Sequence, residues 1–184
     1  RITLCLANCT RRGRVKKFLK HNALLFLIAA LVIVLDQLTK ALVRQNLALG
    51  EAWAPIPAIG EFFRFLYWQN RGAAFGTLQN AGPILTIVRI VIVLFIVVFY
   101  QKAEIKDTLL KVSLSLMLGG AVGNLVDQFS MGFVTDFIAV GRFPIFNIAD
   151  SAVTIGVGLM LLDMLIKEKN GSNGEPETKP GGDA

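Results

Sequence analysis

The hydrophobic residues of this chain are gathered in four long runs, separated by polar or mixed segments. Each run approaches the roughly 20 apolar residues that an α-helix needs to cross a bilayer. The pattern therefore predicts an all-α integral membrane protein, a bundle of four transmembrane helices. The predicted spans lie near residues 23–43, 83–100, 109–126 and 147–166.

The distribution of lysine and arginine predicts how the helices are oriented. Basic residues between Arg11 and Lys20 stand just before the first run, and the connection after Tyr100 and the C-terminal tail are also basic. The other two connections carry few, so both termini are predicted to be cytoplasmic, and the loops 44–82 and 127–146 to face outward. The net charge of +6 does not indicate a nucleic-acid partner, because the basic cluster has the position of a topology anchor.

The same reasoning divides the chain into three parts. Residues 1–22 form a basic cytoplasmic extension, residues 23–166 a four-helix transmembrane domain, and residues 167–184 a disordered cytoplasmic tail. The first run is long enough to span, so we expect it to stay in place instead of being removed as a signal peptide. The only cysteines, Cys5 and Cys9, lie in the extension and have no metal-site pattern around them.

The outer loop 44–82 is long for a connector and rich in aromatic residues. Such rings settle at the membrane–water interface, so the loop is either an anchoring belt or an extramembrane platform, with room for a small β-structure, that guides a membrane-bound substrate. The aromatic residues are Trp53, Phe62, Phe63, Phe65, Tyr67 and Trp68.

Polar residues inside the apolar runs fall at one level, near the outer ends of the predicted helices. Asp36 and Lys40 share a helical face at the i, i+4 spacing, which indicates an ion pair. Gly119 and Gly123 have the spacing that lets membrane helices approach closely. The polar set is Asp36 and Lys40 in the first run, Arg89 in the second, Asn124 and Asp127 at the end of the third, and Asn147 and Asp150 at the start of the fourth; Asp163 alone lies near the inner end.

Three aspartates close to this level are the strongest indication of function. Asp127, Asp136 and Asp150 stand in an otherwise apolar region, where an ionised carboxylate is costly and therefore marks a candidate functional site. Two carboxylates close together share a proton, so one can accept a proton from water while the other polarises a carbonyl, as in aspartic proteases. The spacing alone leaves open which two of the three form the pair.

Other catalytic classes do not fit this chain. His21 is the only histidine and sits at the predicted cytoplasmic edge, so histidine-based triads and the HExxH zinc motif are excluded. Two further readings stay open at this point. The carboxylates could relay protons in a proton-coupled transporter or channel subunit, or they could only pair with Lys40 and Arg89 in a non-catalytic assembly or anchoring protein.

Five blocks of residues, in order along about residues 23–166, resemble the lipoprotein signal peptidases (signal peptidase II). They are Asp36-Gln37-Leu38-Thr39-Lys40, Asn70-Arg71-Gly72-Ala73-Ala74-Phe75-Gly76, Gly119-Gly120-Ala121-Val122-Gly123-Asn124-Leu125-Val126-Asp127, Val134-Thr135-Asp136-Phe137 and Phe146-Asn147-Ile148-Ala149-Asp150-Ser151.

The resemblance implies a bacterial inner-membrane aspartic endopeptidase, in which residues 23–166 are the peptidase domain. It implies that the enzyme cuts prolipoproteins before a diacylglyceryl-modified cysteine, near the outer leaflet, without cofactor or metal. The expected partners are lipid-modified prolipoproteins and membrane lipids, and the protein is expected to be monomeric. The resemblance makes Asp136 and Asp150 the catalytic dyad, with Asp36, Lys40, Asn70, Gly72, Asn124, Asp127 and Asn147 as substrate-binding or supporting residues.

One position departs from the family pattern. The family usually has arginine directly after the aspartate of the glycine-rich block, and this chain has Gln128. The change removes a guanidinium that could contact a carboxylate or a lipid head group. Two interpretations stay open: Arg71, Arg89 or Arg142 replaces it, or the enzyme is less efficient.

Overall fold

Four long helices dominate the protein. The computed structural model describes residues 2–72, 82–103, 105 and 107–172. Within these ranges, side chains are described from residue 22 to residue 169. The helices are α1 (Ile2–Asn46), α2 (Gly82–Lys102), α3 (Thr108–Met131) and α4 (Ile148–Ser172). Each contains a segment long and apolar enough to cross a membrane, which confirms the four-span prediction: Asn22–Asn46, Gly82–Lys102, Thr108–Met131 and Ile148–Lys169.

The helices run further than the apolar runs that predicted them. The predicted third span ended at residue 126, but α3 continues to Met131 because the side chain of Asp127 is buried among polar partners and does not end the helix. Gly132 ends α3 in the left-handed conformation (φ 76°), with its N–H donating to the carbonyl of Gln128. Helix α4 includes residues 167–172, which the sequence assigned to the tail; residues 173–184 lie outside the described residues.

Polar contacts fix the ends of α3 and α4 that lie away from Asp136 and Asp150. Asp107 caps α3 by accepting a hydrogen bond from the N–H of Leu109 at 2.8 Å. Lys167 Nζ on α4 lies 3.1 Å from Asp107 Oδ2 and 2.5 Å from Asp163 Oδ2. Asp163, the polar residue predicted to lie apart from the others, therefore belongs to a separate ion-pair cluster.

Helix α3 is the centre of the bundle and packs against each of the other three helices. A Cβ on Gly119 would lie 2.8 Å from Val32 Cβ of α1, and a Cβ on Gly120 would overlap the carbonyl oxygen of Ala149 of α4. Gly119 and Gly120 therefore allow a close approach of α3 to both neighbours. This approach brings the polar end of α3 against α1 and α4.

A small antiparallel sheet stands beside the polar ends of the helices. Its strands β1 (Ala52–Trp53), β2 (Phe63–Asn70) and β3 (Val134–Val140) are arranged in the order β1-β2-β3. The register opposes Trp68 to Asp136 and Asn70 to Val134, with an irregularity between Phe65 and Trp68. The sheet confirms the small β-structure for which the outer loop had room, and it joins that loop to the strand that carries Asp136.

Aromatic rings of the sheet pack on one another while other rings remain exposed. The rings of Trp53 and Phe65 stack with centroids 5.9 Å apart, and Phe63 meets Phe65 edge-on at 5.4 Å. Trp53, Phe62 and Trp68 keep much of their surface exposed. Both predicted roles of these rings, an anchoring belt and a substrate platform, stay predictions.

Candidate active site

Asp136 and Asp150 approach one another from two different elements. Asp136 lies in β3, where Oδ2 accepts a hydrogen bond from Asn70 Nδ2 at 2.9 Å and Oδ1 accepts one from Asn147 Nδ2 at 2.6 Å. Asp150 lies in the first turn of α4, and its Oδ1 accepts from Asn124 Nδ2 at 2.8 Å. Each carboxylate is therefore held by neutral amide donors, which orient it without adding charge.

Asn147 connects the two carboxylates. It precedes α4, where its Oδ1 accepts from the N–H of Asp150 at 2.9 Å and its own N–H donates to Asp150 Oδ2 at 3.3 Å. This reciprocal pair is the geometry of a capping box, and it starts the helix. Because Asn147 Nδ2 also donates to Asp136, one residue caps α4 and links both aspartates.

Asn124 joins the aspartates to a buried ion cluster. Its Nδ2 donates to Asp150, while its Oδ1 accepts from Lys40 Nζ at 2.9 Å and from Asn147 Nδ2 at 3.1 Å. The lysine fixes which way the amide faces, since the ammonium can only donate. The donor side of Asn124 is thereby turned to Asp150.

The ion cluster consists of Asp36, Lys40 and Asp127, whose side chains are all fully buried. Lys40 Nζ lies 2.8 Å from Asp36 Oδ2 and 3.2 Å from Asp127 Oδ2. The predicted pairing of Asp36 with Lys40 is thus confirmed. Asp127 leaves the cluster with an excess of negative charge, because a single ammonium stands between two carboxylates.

Both carboxylates of the cluster hold the backbone directly before a candidate catalytic residue. Asp36 Oδ1 accepts from the N–H of Ala149 at 2.9 Å, and Ala149 precedes Asp150. Asp127 Oδ2 accepts from the N–H of Thr135 at 2.9 Å, and Thr135 precedes Asp136. The cluster therefore positions the two aspartates through the main chain and does not touch their carboxyl groups.

Burial changes the acidity of Asp136. Its side chain is only 2% exposed, and burial, together with the nearby charge of Asp150, raises the pKa of Asp136 to about 7. The hydrogen bonds from Asn70 and Asn147 and the charge of Lys40 oppose the shift without cancelling it. Near neutral pH, Asp136 is therefore able to carry a proton.

Gly72 affects the site through Asn70. The N–H of Gly72 donates to Asn70 Oδ1 at 2.9 Å. Gly72 has a backbone φ of 106°, a conformation that residues other than glycine rarely adopt. The turn fixes the acceptor side of Asn70, so that its donor side faces Asp136. Residues 73–76 of the same sequence block lie outside the described residues.

Three residues of the site were missed by the sequence reasoning: Gln37, Arg44 and Thr135. Gln37 Nε2 donates to Asp127 Oδ1 at 3.1 Å and to the carbonyl of Gly123 at 3.0 Å. Arg44 Nη1 donates to Thr135 Oγ1 at 2.9 Å and lies 3.7 Å from Asp127 Oδ1. The spacing of Asp36, Lys40 and Arg44, four residues apart along one helical face, was the signal that could have found Arg44.

None of the three arginines considered as a replacement for the missing guanidinium forms an ion pair with an aspartate within the described residues. Arg71 stands over the ring of Phe133, 6.0 Å from its centroid. Arg142 is exposed and Arg89 lies partly exposed on α2. The guanidinium that does reach Asp127 is that of Arg44, from α1, and Gln128 donates to the carbonyl of Gly132 at 3.2 Å.

The family model described as Signal peptidase (SPase) II matches residues 28–166, three quarters of the chain and all of the site. The chain belongs to the signal peptidase II family. The lipoprotein signal peptidase of Shouchella clausii is 46% identical over 146 residues, which cover 79% of this chain and 95% of that protein. The lipoprotein signal peptidase of Brevibacillus brevis is 43% identical, covering 78% and 96%.

Two solved structures of bacterial membrane enzymes are similar to this chain in fold and sequence. One structure described as a bacterial membrane enzyme matches with a TM-score of 0.72 and 34% sequence identity. The match covers 85% of this chain and 94% of the chain in that structure. A second has a TM-score of 0.69 and 36% identity, covering 77% and 92%. The protein is a multi-pass membrane protease, and the transporter or channel alternative is not supported.

Proposed function

We propose that this protein is an aspartic endopeptidase that removes the signal peptide from prolipoproteins, cutting before the diacylglyceryl-modified cysteine. The observation that carries the proposal is the link through Asn147, which holds Asp136 by its side chain and Asp150 by its backbone. Two carboxylates so joined can share a proton. The names of the relatives, lipoprotein signal peptidases, supply the class of substrate.

The two aspartates divide the chemistry between them. Asp136 carries the shared proton, because burial and the charge of Asp150 raise its pKa to about 7. Asp150, ionised, takes a proton from a water molecule, whose oxygen then attacks the carbonyl carbon before the cysteine while Asp136 protonates the carbonyl oxygen. The tetrahedral intermediate collapses as its C–N bond breaks, one hydroxyl proton returns to Asp136, and the proton held by Asp150 passes to the leaving amine.

The remaining residues of the site support this pair. Asn70, Asn124 and Asn147 hold the carboxyl groups, and Gly72 orients Asn70. Asp36 and Asp127 accept hydrogen bonds from the backbone N–H groups that precede the two aspartates, and Lys40 pairs with both of these carboxylates. The substrate contacts predicted for this set stay part of the proposal, as does the absence of a cofactor or metal.

We further propose that the protein lies in the inner membrane with both termini cytoplasmic and the site near the outer leaflet. The basic residues favour this orientation, and the site is built where α1 and α3 end and α4 begins. A site at this level would leave the diacylglyceryl chains of the substrate in the bilayer. We expect the protein to act as a monomer among membrane lipids.

The domain division follows from the same proposal. Residues 23–166 contain every residue of the site and act as the peptidase domain. Residues 1–22 serve as the basic cytoplasmic extension, and residues 167–184, which begin within α4, form the cytoplasmic tail.

The test is cleavage of a synthetic diacylglyceryl-modified prolipoprotein by the purified full chain in detergent micelles. Asp136→Asn and Asp150→Asn should each abolish cleavage while the protein remains folded by circular dichroism and thermal unfolding. Asp163→Asn, which changes a buried aspartate far from the dyad, is the matched control and should keep its activity. Cleavage by either dyad variant at the wild-type rate would refute the proposal.

A second arm tests the lipid requirement. The same precursor with an unmodified cysteine should be cut much more slowly than the lipid-modified form. Equal rates for both forms would show that the enzyme does not recognise the diacylglyceryl group.

A further inference from the structure

The last turn of α1 reaches the strand that carries Asp136. The side chain of Arg44 is 24% exposed, and its Nη1 donates to Thr135 Oγ1 at 2.9 Å. Thr135 is fully buried, and its N–H donates to Asp127 Oδ2 at 2.9 Å. The residue immediately before Asp136 is therefore held at its hydroxyl and at its backbone.

We infer that Arg44 is a positioning residue for Asp136, acting through the hydroxyl of Thr135. This inference rests on the proposed function, since it assigns Arg44 a part in the chemistry of the dyad. Two attachment points on one residue restrain both the position and the rotation of β3 at that place. A shift of the carboxyl group by about 1 Å is enough to slow an enzyme by as much as two orders of magnitude.

The distances show why Thr135, and not Asp127, is the main partner of Arg44. The guanidinium lies 3.7 Å from Asp127 Oδ1, which is too long for a hydrogen bond, whereas its contact with the threonine hydroxyl is 2.9 Å. Asp127 already has the ammonium of Lys40 at 3.2 Å and the amide of Gln37 at 3.1 Å. The hydroxyl of Thr135 is buried and gains a charged donor from Arg44, a stronger hydrogen bond than a neutral donor gives.

Helix α1 thus restrains both elements that carry the dyad. Asp36 holds α4 through the N–H of Ala149, and Arg44, two turns further along the same face, holds β3 through Thr135. Lys40 lies between Asp36 and Arg44 on this face and forms ion pairs with the carboxylates of Asp36 and Asp127. One helical face therefore sets the separation between Asp136 and Asp150.

The test compares kcat and KM for the lipid-modified precursor in wild type, Arg44→Met, Thr135→Val and the double variant. Each single variant should lower kcat roughly tenfold with KM changed by less than about twofold, because the dyad and not the binding surface is displaced. The double variant should be no slower than the slower single one, because both changes break the same contact. Thr135→Ser keeps the hydroxyl and should restore most of kcat.

Lys102→Met, at the exposed end of α2 away from the site, is the control and should leave both constants unchanged. Thermal unfolding of every variant separates a positioning effect from a loss of folded protein. Additive losses in the double variant, a change in KM alone, or wild-type kcat in Arg44→Met would overturn the inference. Wild-type protein that fails to cleave would instead refute the proposed function.

Discussion

The side-chain amide of Asn147 lies 2.6 Å from Asp136 Oδ1, closer than any other hydrogen-bond donor to either aspartate of the dyad within the described residues. The same residue begins α4 as its N-cap. One asparagine thus both starts a helix and contacts a proposed catalytic aspartate. The two roles can be separated by mutation, because serine caps a helix as well as asparagine but cannot extend an amide to Asp136.

Replacing Asn147 should affect stability and activity differently. We expect Asn147→Ala to lose about 1 kcal/mol of stability through the missing cap and roughly a hundredfold in kcat through the misplaced carboxyl. Asn147→Ser should lose as much activity but about 1 kcal/mol less stability than Asn147→Ala, because it keeps the cap while both variants lose the buried amide contacts. Thermal unfolding and initial cleavage rates measure the two quantities, and equal stability loss in both variants would contradict the capping role.

Removal of the buried ammonium should be far more destabilising than removal of an exposed one. Lys40→Met leaves Asp36 and Asp127 without the cation between them, which should cost roughly 3–5 kcal/mol. Adding Asp36→Asn to that variant should recover part of the loss, because one uncompensated charge is removed. Denaturant unfolding in micelles measures the effect, and Lys102→Met at the exposed end of α2 should stay within about 0.5 kcal/mol. Stability of Lys40→Met equal to wild type would show that the cluster is not held by charge.

The raised pKa of Asp136 should make stability depend on pH. The pKa is 3.8 in the unfolded chain and about 7 in the folded protein, so the folded state binds one proton more between these values. The stabilisation is therefore complete below pH 3.8 and is lost as the pH rises through about 7, a change on the order of 4 kcal/mol. Asp136→Asn cannot titrate, so its melting temperature should fall less than that of wild type between pH 5 and pH 8. Parallel curves for the two proteins would contradict the raised pKa.

Helix packing should be sensitive to a single methyl group at Gly120. A Cβ at this position would overlap the carbonyl oxygen of Ala149, next to Asp150, so Gly120→Ala should lose roughly 1–3 kcal/mol and also slow cleavage. Gly158→Ala, in α4, is the matched control because a Cβ there meets nothing within 4 Å. It should be neutral or slightly stabilising, as expected when alanine replaces glycine in a helix. Wild-type stability of Gly120→Ala would show that α3 and α4 can separate freely.

The sequence by itself determined the four helices and one pair of side chains. An apolar run of about 20 residues in lipid can satisfy its backbone only as a helix, so length and hydropathy were enough to locate the spans. Asp36 and Lys40 could be paired because residues four apart on a helix are always neighbours. Both predictions depend only on residues that are close together in the sequence, so they do not require knowledge of how the helices pack. The spacing of Asp127, Asp136 and Asp150 left the dyad open, and only the resemblance to signal peptidase II pointed to a choice.

The tertiary structure decided which distant groups meet. Asp36 accepts the N–H of Ala149 across 113 positions of sequence, and Arg44 reaches Thr135 across 91. It also decided that three short segments pair as a sheet, and that Asp127 stays inside α3 where the apolar pattern ended the span. No periodicity specifies such partners, because they depend on how closely α3 approaches α1 and α4. The glycines of α3 allow that approach, and the packed helices then fix which carboxylate holds which strand or helix.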